Sequence, residues 1–203
     1  MVRWLMLMSF VVAGVQPAAA PRGVAAKAGS DGPQYTADGQ MKFPADYREW
    51  VFLSSGVDMS YSPQAASAQP VFDNVFVNPS AYRAFLKTGT WPEGTMMMLE
   101  IRGSEGNHSI NKRGQTQSAG VRGLEVHVKD SAHLKGDGWG FYGFHDEVSG
   151  KLIERPAACY ECHEAHAAVN TTFVQFYPTL VGVAAAKMTL SAGYLKELAA
   201  PFP

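Results

Sequence analysis

Apolar and polar positions alternate most cleanly over residues 123–129, where Leu124, Val126 and Val128 interleave with Glu125, His127 and Lys129. A period of two is that of a strand with one buried face. β-branched and aromatic runs predict further strands at 71–77 (VFDNVFV) and 139–144 (WGFYGF). Residues 51–53 predict a short strand that runs into a Ser/Gly turn, and 58–70 a loop. Residues 95–102 predict another strand, followed by a polar, Gly-rich loop to Gly120. Helical signals are fewer. Asn78-Pro79-Ser80 opens a helix, Ala81, Phe85 and Leu86 give it an apolar side, and Gly89 stops it. Residues 44–50 (PADYREW) predict a short helix with Trp50 turned inward. The pattern is that of an α+β fold, mainly β: an antiparallel sheet or partial barrel with a few helices.

The first 28 residues have a different character. Arg3 is followed by an uncharged apolar run, Trp4 to Val15, and then by small residues. This is the layout of a secretory signal peptide, and the run is shorter than the roughly 20 residues of a membrane span. Cleavage is expected after Ala28, with Ala20 as the alternative. Residues 29–42 predict a flexible leader, and 43–203 a single domain. Cleavage after Ala28 takes Arg3, Arg22 and Lys27 from the 17 basic residues, leaving 14 against 18 acidic ones, a net charge of −4. The product is expected to be periplasmic and free of the membrane. The chain's 46% hydrophobic and 17% charged residues fit a folded core rather than a disordered chain. With no dense Lys/Arg tract, nucleic-acid binding is not expected.

The two cysteines of the chain fall in Cys159-Tyr-Glu-Cys162-His163. This is C-x-x-C-H, the attachment motif of c-type haem. Each thiol adds across one vinyl group, and the adjacent histidine ligates the iron. On a helix the three positions share one face, so a C-terminal haem-attachment helix is expected to carry one covalent haem c. Three other readings compete with it. A Cys159–Cys162 disulfide suits an exported protein. A thioredoxin-like pair needs a βαβ context, which the pattern lacks. A zinc site with His166 requires the adjacent Cys162 and His163 to act as joint tetrahedral ligands, a poor geometry. Haem is favoured over all three, and His166 is not assigned as a ligand.

The sixth coordination position separates electron transfer from ligand chemistry. Met96, Met97 and Met98 form a run of which at least one faces inward, although core packing is the simpler role for a methionine. Glu125 and Glu154 are the candidate proton-relay carboxylates. Alternation puts Glu125 opposite the buried set, on a solvated face or on a polar pocket wall, the solvated face being the simpler reading. Arg102, Lys112 and Arg113 are candidate partners for haem propionates.

Four strings, Phe43-Pro-Ala-Asp-Tyr-Arg-Glu-Trp50, Trp91-Pro-Glu-Gly-Thr95, Gly138-Trp-Gly-Phe141 and Ala158-Cys-Tyr-Glu-Cys-His163, resemble the cytochrome P-460 family over most of residues 43–180. The resemblance implies a mostly antiparallel β fold and a five-coordinate haem with His163 proximal. It also implies a lysine cross-link to the porphyrin and hydroxylamine oxidation in one subclass. The cross-linking lysine stands four residues after the Thr of the Trp-Pro-x-Gly-Thr turn, where this chain has Leu99. That departure is closer to the cytochrome c′-beta subclass, which has no cross-link and an apolar, gas-binding distal pocket. Leu99, Phe76 and Phe141 are the expected pocket residues, with Phe72 and Phe144 as further candidates. The ligand implied is a diatomic gas such as nitric oxide. The alternatives are hydroxylamine or nitrogen-oxide oxidoreduction, and electron transfer to a redox partner protein. A homodimer is implied by resemblance alone.

Overall fold

A computed structural model describes residues 31–61 and 67–200. The expected signal peptide and its candidate cleavage points lie outside the described residues. Seven strands form one antiparallel sheet: β1 (Met41–Lys42), β2 (Val51–Val57), β3 (Val71–Val77), β4 (Met96–Gly106), β5 (Gln115–Lys129), β6 (Trp139–Phe144) and β7 (Ser149–Leu152). Their spatial order is β1-β7-β6-β5-β4-β3-β2, which leaves β1 and β2 as edges of an open sheet. Four α-helices accompany it: α1 (Pro79–Thr88), α2 (Ala158–His166), α3 (Val181–Ala186) and α4 (Ala192–Ala199). Among the described residues, no helix is long and apolar enough to cross a membrane.

The strand period sorts side chains into two compartments. Met96 and Met98 of β4, Leu124, Val126 and Val128 of β5, and Tyr142 and Phe144 of β6 face one way. They pack against Met41, Tyr47 and Trp50 from the N-terminal segment. On the opposite face Val77, Met97 and Trp139 pack against Phe85 of α1, Trp91 and the C-terminal elements. A bulge between Phe52 and Ser54 shifts the register of β2 on β3. As a result Leu53 joins the core of that second face while Ser54 reaches the same side further along.

Several sequence expectations need correction. The helix expected over 44–50 is a single 3-10 turn, Tyr47–Glu49. The loop expected up to Gly120 is shorter, because β4 and β5 continue as a two-stranded ribbon paired out to Gly106 and Gln115. A ladder needs only backbone groups, so polar side chains exposed on both sides do not prevent it. From Asp31 onward the expected leader is built into the domain. Tyr35 donates to Asp130 Oδ2 at 2.9 Å and stacks on His133 with centroids 4.2 Å apart, and β1 pairs with β7. The Asp31 carboxylate accepts from the Ser80 N–H at 2.8 Å. It therefore caps α1, whose own Asn78 side chain makes no capping bond.

One polar group is buried deep in the first compartment. Glu100, 2% exposed, accepts from Tyr47 Oη at 2.5 Å and pairs with Arg102 Nε at 2.5 Å and Arg48 at 2.6 Å. Burial alone raises its pKa. The Arg102 and Tyr47 hydrogen bonds, with the charges of Arg102 and Arg48, outweigh that and bring it down to about 2. A depressed carboxylate stabilises the fold above its unfolded pKa, and the contribution is lost as pH falls toward the folded one. Glu100→Gln is expected to lose about 3 kcal/mol at pH 7. The gap from wild type should narrow as pH falls from 4.5 toward 2. Urea unfolding of both proteins across that range is the check.

Candidate functional site

The second face of the sheet does not pack solid throughout. Between β2–β6 and the C-terminal elements lies a cavity of about 460 Å³, within the size range of cofactor pockets. Its sheet wall is built from alternate residues: Val75 of β3, Met97 and Leu99 of β4, Glu125 and His127 of β5, and Phe141 of β6. The facing wall carries Cys159, Cys162 and His163 on α2, with Phe173, Phe176 and Tyr177 beyond it.

Helix α2 presents the motif as one face, because positions i, i+3 and i+4 lie together on a helix. Both cysteines are half-buried, free and on the cavity wall. Burial raises the Cys159 thiol, and the charge of nearby Glu125 adds to that. The His163 ring is held by other rings: Phe173 at 4.1 Å, Phe141 at 4.8 Å and His127 at 5.1 Å between centroids. His163 Nδ1 lies 2.7 Å from the Thr171 carbonyl oxygen. A carbonyl can only accept, so Nδ1 carries the proton and Nε2 is left as a free donor atom. Burial lowers the His163 pKa, partly offset by this hydrogen bond, and so favours the neutral imidazole that a metal requires.

Leu99 and Phe141 stand on the cavity wall, together with Cys159, Cys162 and His163. Phe76 does not. It lies on the other face of β3, in edge contact with Tyr47 at 5.8 Å and Phe52 at 5.6 Å, because its parity is that of Asn74 and not of Val75. Phe144 faces the same way as Phe76. Of the three methionines only Met97 reaches the cavity, with its sulfur 4.0 Å from Tyr177 Oη. Arg102 is engaged by Glu100 on the far side of the sheet. Lys112, Arg113 and Glu154 are exposed and away from the cavity. His166 points away to Glu197, 2.5 Å distant on α4.

Glu125 departs from the simpler reading of a solvated face. It lines the cavity opposite Leu99 in the β4–β5 register, and burial raises its pKa. Asp73 lines the same cavity, and its pKa is also raised by burial. The wall thus sets apolar Leu99 and Val75 beside two carboxyl groups, Glu125 and Asp73. Alternation alone had put His127 among the polar positions. It is 7% exposed and stacks on Phe141 with centroids 4.0 Å apart and planes at 7°. Its pKa is lowered well below the usual value by burial, and further by the charges of His163 and Arg155. The sequence signal for both residues was their shared parity with Leu99 across a central strand pair. It becomes legible once both faces of the sheet are known to be covered.

A paired-thiol helix face, a neutral imidazole with a free Nε2 and a cavity of this size, set against an antiparallel sheet, define a c-type haem-binding protein of β-rich architecture. The cytochrome P460 family model matches residues 44–174, and the chain belongs to that family. No curated protein matches the chain. Membership implies a haem c cofactor, and the residues present fit it: Cys159 and Cys162 would carry it and His163 would ligate its iron. Replacing both cysteines with alanine is expected to abolish haem staining on a denaturing gel while wild type retains it.

Proposed function

We propose that this chain is an exported, mono-haem c-type protein that binds a small neutral ligand at iron held by His163 alone. The observation that carries this reading is the wall around Leu99. Leucine stands where a cross-linking lysine is expected, with Val75 beside it in the β3–β4 register and the Glu125 carboxyl, pushed toward its neutral form by burial, beside it in the β4–β5 register. When bound, haem supplies a one-electron couple and an open coordination position.

The chain's own residues perform the rest. Cys159 and Cys162 anchor the group, and Thr171 orients His163. His127 lies edge-on to His163 with centroids 5.1 Å apart and would brace that ring rather than hold the group itself. The apolar side chains exclude water and penalise charged ligands, because burying an uncompensated charge is costly. Neutral diatomics such as nitric oxide and carbon monoxide are the class favoured.

A second reading rests on Glu125. A carboxyl group whose proton affinity is raised by burial, on the wall of a ligand cavity, is suited to exchanging protons with a bound substrate. This supports oxidoreduction of hydroxylamine or a related nitrogen compound. Glu125 would then accept the substrate's proton, and a haem held by Cys159, Cys162 and His163 would supply the one-electron couple that the oxidation needs.

Carbon monoxide is expected to shift the spectrum of the reduced, high-spin protein, and cyanide to bind the oxidised form weakly. A low-spin reduced spectrum that turns high-spin in Met97→Leu would assign Met97 as sixth ligand and sink the gas-binding reading. Peptide mapping should find haem on the peptide spanning Cys159 to His163 and not on one containing Lys87 or Lys112. Glu125→Gln is expected to leave carbon monoxide affinity within about twofold of wild type. If wild type oxidises hydroxylamine and this variant loses about a hundredfold or more in rate, the share expected of a general base, the second reading holds.

A further inference from the structure

We infer that His127 is a positioning residue for the haem-ligating histidine, acting from strand β5 through the side chain of Thr171. This rests on the reading of His163 as the iron ligand. Two hydrogen bonds join the three residues in sequence. His163 Nδ1–H donates to the Thr171 carbonyl at 2.7 Å, and Thr171 Oγ1 meets His127 Nε2 at 3.3 Å. Thr171 is 9% exposed and His127 7%, so water does not compete strongly for either contact.

Geometry makes the link more than incidental. Helix α2 ends at His166, and the chain must turn back to aim a carbonyl at His163. The turn does so by pairing Val169 with Thr172 and by placing Asn170 in the left-handed region at φ 53°. One flank of the turn is fixed by Thr172, whose hydroxyl accepts from Trp91 Nε1 at 2.8 Å and donates to the Val169 carbonyl at 2.7 Å. Thr171 fixes the other flank, and its side-chain partner is His127. The Thr171 carbonyl is therefore tied to the sheet through one imidazole. That imidazole is itself immobilised face to face on Phe141 and lies edge-on to the ring being positioned.

The consequence concerns the strength of the iron–histidine bond. A well-aimed carbonyl acceptor at Nδ1–H makes the imidazole a stronger donor and stabilises the oxidised iron. If the carbonyl is loosened, the donor weakens and the reduction potential rises. The residues that set this are Thr171 and His127.

The test uses the haem-loaded full chain with four variants, Thr171→Val, Thr171→Ser, His127→Leu and His127→Gln. Each is first checked for covalent haem on a denaturing gel. Absence of covalent haem in wild type would overturn the haem reading itself, an outcome distinct from those that follow. Thr171→Val keeps the side-chain shape and removes the hydroxyl. It is expected to shift the oxidised-to-reduced ratio at fixed potential at least threefold toward reduced, a rise of about 28 mV at 59 mV per tenfold for one electron. The iron–histidine stretching frequency of the reduced protein should fall with it. His127→Leu should match it in both measurements, and the double variant should go no further than either single. Thr171→Ser and His127→Gln, which keep a polar group at each position, should return toward wild type. Thr171→Val decides the matter alone if His127→Leu does not fold. Wild-type potential and stretching frequency in Thr171→Val would overturn the inference. So would shifts that add in the double variant, since the two residues would then act separately.

Discussion

The central constraint is the two-residue period of a strand, applied to a sheet that is covered on both faces. Adjacent residues of β3, β4, β5 and β6 must serve opposite compartments. Met96 and Met98 enter a packed core while Met97 and Leu99 form a cavity wall. Val126 is in the core while Glu125 and His127 line the cavity that α2 closes. Neither set can shift by one position without exchanging core for cavity. The register of β4 on β5 therefore places Leu99 beside Glu125 as surely as it buries Met98 beside Val126.

The two faces treat polar groups in opposite ways. On the core side Glu100 is surrounded by Tyr47, Arg48 and Arg102, and its charge is held by them. A buried charge persists only with such partners. On the cavity side, burial is the cause that pushes Glu125 and Asp73 toward their protonated forms, and among the described residues no ion pair opposes it. A carboxyl group in that condition is a poor structural element and a serviceable proton carrier. Stability chemistry and ligand chemistry are thus separated by the thickness of one sheet.

Helix α2 is short, and its place depends on ties beyond its own hydrogen bonds. Tyr160 Oη accepts from the Phe141 N–H at 3.2 Å and donates to the Ile153 carbonyl at 2.8 Å, which pins the helix to β6. Arg155 lies over the Tyr160 ring, 3.9 Å from its centroid, and pairs with Glu164. At the far end, His166 reaches Glu197 of α4. The cysteines and His163 are consequently presented on a helix anchored at both ends.

The sequence by itself determined the elements whose cause is local. The C-x-x-C-H spacing, the 71–77 and 139–144 strands, the helix closing at Gly89, the mainly β class and the leucine at position 99 could all be read from neighbouring residues. Only the tertiary structure decided which parity of each strand faces the cavity. Periodicity defines two faces but does not say what covers them. Glu125 and His127 therefore look like a solvated stripe until α2 and the Phe173–Tyr177 region are laid over it, and Phe76 looks like a pocket residue until Tyr47 is found beneath it. The same holds for Asp31 capping α1 and for Thr171 turning its carbonyl on His163. Each of these depends on how separate segments meet in space, and a contact of that kind leaves no pattern in the residues on either side.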